Sequence, residues 1–126
     1  MKTIKTAFLT IALGLLILPF SGLKAQDATV AAKNVYKKVL LDNEHVRVLQ
    51  VEFAPGEVAP WHNHPGHVAY ALTDGKLEIT DKGKPANVMN IKAGDAVYMP
   101  AVTHMAKNVG TTTVRMVVME LKSEKN

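Results

Sequence analysis

Turn chemistry recurs along this chain at short intervals, and that recurrence limits its fold more than any other feature. Asp42-Asn43, Pro55-Gly56, Pro65-Gly66, Asp74-Gly75, Asp81-Lys82-Gly83, Gly94-Asp95, Pro100 and Gly110 each supply a residue suited to a reversal. Glycine reaches positive φ without a Cβ clash, and proline arrives with φ already set. The runs between them are short and rich in Val, Ile, Tyr and Thr, which is strand composition. Lys76-Leu77-Glu78-Ile79-Thr80 alternates polar and apolar, so one face is wet and the other buried. Asp74-Gly75, just before it, is a two-residue hairpin signal. His45 to Phe53 and Thr111 to Leu121 are apolar on both faces over much of their length, as suits central strands between two layers. After residue 35 no i, i+3, i+4 stripe is sustained over three turns. The expectation is an all-β domain of about nine strands, a sandwich or a barrel.

The amino terminus reads differently. Met1-Lys2-Thr3-Ile4-Lys5 is a short basic start, Ala7 to Phe20 is nearly unbroken apolar sequence, and Ser21-Gly22-Leu23-Lys24-Ala25 ends on a small residue. These are the three parts of a cleavable signal peptide, residues 1–25. The apolar run is short for a transmembrane span of about 20 residues. The expectation is therefore export to the periplasm or the medium, with no stable membrane anchoring after cleavage. Gln26 to Asn34 reads as a polar, Ala-rich lead-in, either a frayed arm or one helical turn, and residues 35–126 as the barrel domain. The whole chain carries 15 basic and 11 acidic residues, a formal +4. Cleavage removes Lys2, Lys5 and Lys24 and no acid, which leaves +1. No basic cluster remains to argue for nucleic acid. The chain has no cysteine, which excludes a disulfide scaffold and a Cys-type zinc site. An exported chain of this kind must draw stability from packing, a metal or a partner subunit.

Three of the five histidines, His62, His64 and His67, fall within six residues; His45 and His104 lie apart. On a strand, residues i and i+2 point to one side, so His62 and His64 can meet a single metal ion. A solvated or hydrogen-bonded pair is the plainer alternative. Gly56 lies six residues before His62, Gly75 closes the segment, and Gly94, Pro100, His104 and Asn108 form a second cluster. With those residues in place the chain resembles the cupin superfamily. Gly56, His62, His64 and Gly75 fall at the positions of its first motif, G(x)5HxH(x)3–4E(x)6G. The run Gly94 to Asn108 matches in outline the second, G(x)5PxGxxHxxxN. Two departures stand out. Pro100 to His104 is one residue short, with Val102 where a glycine is usual, and the glutamate position counted back from Gly75 holds Val68.

The resemblance implies a single-domain cupin double-stranded β-helix, a jelly-roll barrel, with His62, His64 and His104 holding one divalent metal ion per chain. Iron, nickel, copper, manganese and zinc all remain open. If Val68 points inward with Tyr70 and Leu72, His67 points outward. A bulge after Pro65-Gly66 reverses that and makes His67 a fourth ligand. Tyr70, on Val68's face, is a pocket candidate or a core aromatic. Trp61 walls the pocket mouth or covers an apolar edge. The methionines fill irregular core, and Met99 and Met105 flank the second motif. Asn108 fixes the motif's turn, and His45 is an ordinary histidine. Three neutral ligands leave the ion its full charge and open positions, which suits a small polar or anionic ligand. Oxygen-dependent cleavage, in the manner of three-histidine cupin dioxygenases, is the first expectation. A non-catalytic small-molecule-binding module with a degenerate metal site is the alternative. A 101-residue mature chain also gains stability by pairing, so a homodimer is expected.

Overall fold

The computed structural model describes residues 26–123, so the expected leader lies outside the described residues. Ten strands and one helical turn follow in order. They are β1 (Gln26–Asp27), α1 (Ala28–Ala31), β2 (Tyr36–Asp42), β3 (Val46–Phe53), β4 (Val58–His64), β5 (His67–Ala71), β6 (Gly75–Asp81), β7 (Asn87–Ile91), β8 (Ala96–Met99), β9 (Val102–Asn108) and β10 (Val114–Leu121). They form two five-stranded sheets, ordered β1-β4-β9-β6-β7 and β2-β3-β10-β5-β8. From β3 onward the chain crosses repeatedly between the sheets, and only β6 and β7 follow each other within one. That is the path of a double-stranded β-helix.

The two runs expected to be central strands are β3 and β10. Each has a neighbour on both sides, and they pair in register from Val46↔Leu121 to Phe53↔Val114. Their inward residues, Leu49, Val51 and Phe53 with Val114, Met116 and Val118, form much of the core. Ala59, Leu77 and Ala106 close it from the other sheet. Period-two alternation makes this possible, since each strand buries every second residue.

The lead-in is one helical turn rather than a frayed arm. Asp27 caps it, accepting from Thr29 N at 3.0 Å, and Ala28, Ala32 and Val35 are fully buried. β1 pairs parallel with β4, placing Gln26 opposite His62.

Asp74-Gly75 does not close a hairpin. β5 and β6 lie in different sheets, and the pair sits at the crossover between them. Gly75 has no positive φ. It is required by close approach, because a Cβ there would stand 2.3 Å from Val114 Cγ2. The turn glycines that do need positive φ are Gly56, Gly83 and Gly94.

Candidate metal centre

A one-residue bulge decides which way the histidines of β4 face. Val58 and Ala59 pair with Lys107 and Ala106 on β9, but His62 pairs with His104, so the register slips by one between Ala59 and His62. Without that slip, Ala59 inward would place Trp61 inward and His62 outward. With it, Pro60 and Trp61 are both exposed and His62 and His64 are buried. Proline suits the spot because it has no N–H to lose from the ladder. Trp61 is 43% exposed and does not line the cavity described below.

The turn at Pro65-Gly66 repeats the device. It resets the alternation so that His67, Ala69 and Ala71 face inward and Val68 and Tyr70 outward. This corrects the inward placement of Val68 and Tyr70. Tyr70 is 40% exposed on the outer sheet face and is no pocket residue. His67, at 1% exposure, joins the cluster.

Four of the five histidines therefore converge between the sheets. His62 and His64 come from β4, His104 from β9 and His67 from β5. One ring nitrogen from each of His62, His64 and His104 lies within 4.8 Å of the other two. His67 stands beside that triad, its ring centroid 4.6 Å from His64 and 6.4 Å from His104. His45 is exposed beside Glu44 and is not part of the cluster.

The hydrogen bonds fix the tautomers. His62 Nδ1–H donates to Pro60 O at 2.6 Å, and His67 Nδ1–H donates to Pro65 O at 2.8 Å. His64 Nδ1–H donates to Glu120 Oε1 at 2.6 Å. With each Nδ1 protonated, each Nε2 keeps its lone pair, which is how metal-binding imidazoles are ordinarily prepared. His104 Nδ1 has no partner although buried, and the closest acid, Asp81 Oδ1, is 3.7 Å away. A buried orphan nitrogen among converging imidazoles fits a divalent ion of borderline softness.

Glu120 is a site residue that the sequence reading missed. It is 2% exposed and continues the inward face of β10 after Val114, Met116 and Val118. A carboxylate on the apolar phase of a strand is the signal that marks it. Arg47 Nε donates to its other oxygen at 2.6 Å, and Arg47 also pairs with Asp27 beside the helical turn. Burial opposes ionisation of Glu120, yet the hydrogen bonds from His64 and Arg47 hold its carboxyl below the usual range.

Burial, followed by neighbouring imidazoles, pushes His104 down to about 3. Burial likewise takes His62 down to about 4, against the bond to Pro60. His67 is lowered too, chiefly by burial. His62, His67 and His104 are thus held in the neutral form that offers a lone pair to a cation. Tyr36, also missed in the sequence, sends its hydroxyl into the cluster, 2.8 Å from His64 Nε2. Burial first, then the charges of Glu120 and Asp27, raise its pKa.

A cavity of about 240 Å³ opens beside the cluster. His64, His67, His104 and Tyr36 form its polar end; Leu77, Ile79, Ile91, Val97, Met99 and Met116 are among its apolar walls. Of the two methionines that flank the second motif, Met99 lines the cavity and Met105 does not. Asn108 is buried at the turn, donating to Phe53 O and Thr112 O and accepting from Gly110 N. It fixes that turn and stays out of the chemistry.

Two five-stranded sheets with imidazoles converging between them define a small jelly-roll barrel bearing a candidate metal site. Residues 49–120 match the sequence profile described as the cupin domain, and the chain belongs to the cupin family. Solved structures agree. A cupin domain from Bordetella pertussis Tohama I is 26% identical, with a TM-score of 0.66 over 81% of this chain and 100% of that one. A cupin-like protein from Thermotoga maritima MSB8 is 28% identical, with a TM-score of 0.55 over 68% of this chain and 66% of its own. An RmlC-like cupin from Methanocaldococcus jannaschii, 23% identical, has a TM-score of 0.57 over 68% and 77% and is similar in fold. No curated protein matches the chain in sequence.

Proposed function

We propose that this chain is an exported, metal-dependent cupin that takes a small polar or anionic molecule at a His62–His64–His104 centre and cleaves it with oxygen. The observation that carries the reading is the convergence of three buried imidazoles, two of which, His64 and His104, line a largely apolar cavity. Donors of this kind suit iron, nickel, copper, manganese or zinc; a redox-active ion there supplies electron transfer between substrate and O2. In such a cleavage one carbon–carbon bond breaks and both oxygen atoms end in the products. The electrons come from the substrate, so no further reductant is needed.

The chain's own residues supply the rest. Glu120 and the carbonyls of Pro60 and Pro65 hold the rings in place. His67 lines the cavity with its Nδ1–H committed to Pro65 O, which leaves Nε2 as the atom that accepts a hydrogen bond from a ligand hydroxyl. The apolar walls exclude water and hold the ligand's body. A cavity of about 150 Å³ accommodates benzene, so this one suits a molecule somewhat larger than a single ring.

Metal analysis of the purified chain beside His62→Ala and His104→Ala tests the first half. About one ion per chain, lost in both variants, is expected. Oxygen uptake by the loaded protein with a panel of small carboxylates and diols tests the second. Saturable ligand binding without oxygen uptake would favour the non-catalytic binding module. We also propose that the chain pairs as a homodimer. The outer face of one sheet carries Leu41, Val48, Met119, Val68 and Tyr98 in a single register row, which supports pairing.

A further inference from the structure

Tyr36 belongs to neither histidine motif. It opens β2, and a register shift between Tyr36 and Lys38 separates it from the remainder of that strand, which is exposed. Its backbone N–H donates to Ala32 O at 3.0 Å, which ties it to the turn after α1. Its hydroxyl lies 2.8 Å from His64 Nε2 and 3.3 Å from His62 Nε2. Its ring sits 5.4 Å from each imidazole centroid.

One hydroxyl has one proton and donates to one nitrogen at a time. The shorter distance assigns it to His64. These are the two nitrogens whose lone pairs an ion would take. Once they are turned to an ion, neither accepts from Tyr36, and a buried hydroxyl left without a partner is costly. The phenol oxygen lies between both nitrogens and has lone pairs of its own. The arrangement that removes the cost is the one in which that oxygen joins them at the ion. The β5 residue that faces the cluster is His67, a nitrogen donor, while Val68 faces away, so β5 brings no oxygen donor to the site.

We propose that Tyr36 is the oxygen ligand of the centre, supplying from β2 the oxygen donor that β5 does not. The proposal rests on the metal reading above and deepens it. Ligation releases the hydroxyl proton, as binding by any protonated donor does.

Iron(III) is the probe, because a phenol oxygen bound to it gives a strong visible absorption that imidazole ligation does not. The metal-stripped chain is loaded with iron(III), and metal content is measured in parallel. The chain has three tyrosines, so each can be changed singly. The band is expected in the wild type, in Tyr70→Phe and in Tyr98→Phe, and lost in Tyr36→Phe. Resonance Raman excited in the wild-type band must show phenolate ring modes, which decides the matter even if Tyr36→Phe holds no iron. Iron bound in a His62-dependent way without such a band or modes overturns the proposal and leaves the three-histidine reading intact. A band that persists in Tyr36→Phe overturns it too. A wild-type chain that binds no metal overturns both.

Discussion

Because His62 and His104 are buried as neutral imidazoles, acid should destabilise the metal-free protein at a pH where carboxylates are still ionised. The unfolded chain protonates each ring near 6.5, while the folded chain resists to about 4 at His62 and about 3 at His104. Both folded pKa values are depressed. The associated stability is therefore present above pH 6.5 and is lost as pH falls toward the folded values. Around pH 5 unfolding takes up nearly two protons, so stability falls by roughly 2.5 kcal/mol per pH unit at about 1.36 kcal/mol per proton. Between pH 7.5 and 5 the two rings together cost about 4 kcal/mol, a large share of the ~5–15 kcal/mol that holds a domain folded. Urea titrations of the metal-stripped chain at half-unit steps, read by circular dichroism and by the single tryptophan, would measure the slope. The His62→Gln, His104→Gln double variant should flatten it. A wild-type slope above pH 5 no steeper than that variant's would refute the claim that these rings are held neutral by burial.

Glu120→Gln should leave the fold in place but weaken metal binding about 10- to 100-fold, since His64 loses the carboxylate that orients it; competition with a coloured chelator measures this. His67→Ala should retain the ion, as His67 stands outside the tight triad, but bind a cavity ligand more weakly; metal content and ligand titration separate the two effects. Gly75→Ala should destabilise by about 1–3 kcal/mol through overlap with Val114, and adding Val114→Ala should restore part of the loss relative to Val114→Ala alone. Denaturant melts of the three variants complete that cycle.

The histidine triad was legible because its spacing follows from the strand period and from the two motifs. Asn108 was legible for the same reason. The phase of β5 was open in the sequence: Val68 inward with Tyr70, or reversed by a bulge after Pro65-Gly66. The turn takes the second course, which buries His67 and leaves Tyr70 outside the pocket. A one-residue difference in phase exchanges the two faces of a strand, so a small miscount becomes a complete inversion. The hairpin expected at Asp74-Gly75 failed for a related reason. Local turn chemistry marks a reversal or a corner, but not which sheet receives the next strand. Glu120 had a signal in the apolar phase of β10. Tyr36 had none, because its distance from the histidines is closed by the fold alone.

The order of strands and turns, the absence of disulfides and the His62–His64 pairing are properties of the amino-acid order, since each depends on composition or on neighbours within a few residues. The meeting of Tyr36, His67 and Glu120 with the triad is a property of the closed barrel. These residues come from three strands of one sheet, β2, β5 and β10, and reach across to β4 and β9 of the other. Local sequence sets which face of its own strand a residue occupies, and bulges and sheet packing decide what that face meets.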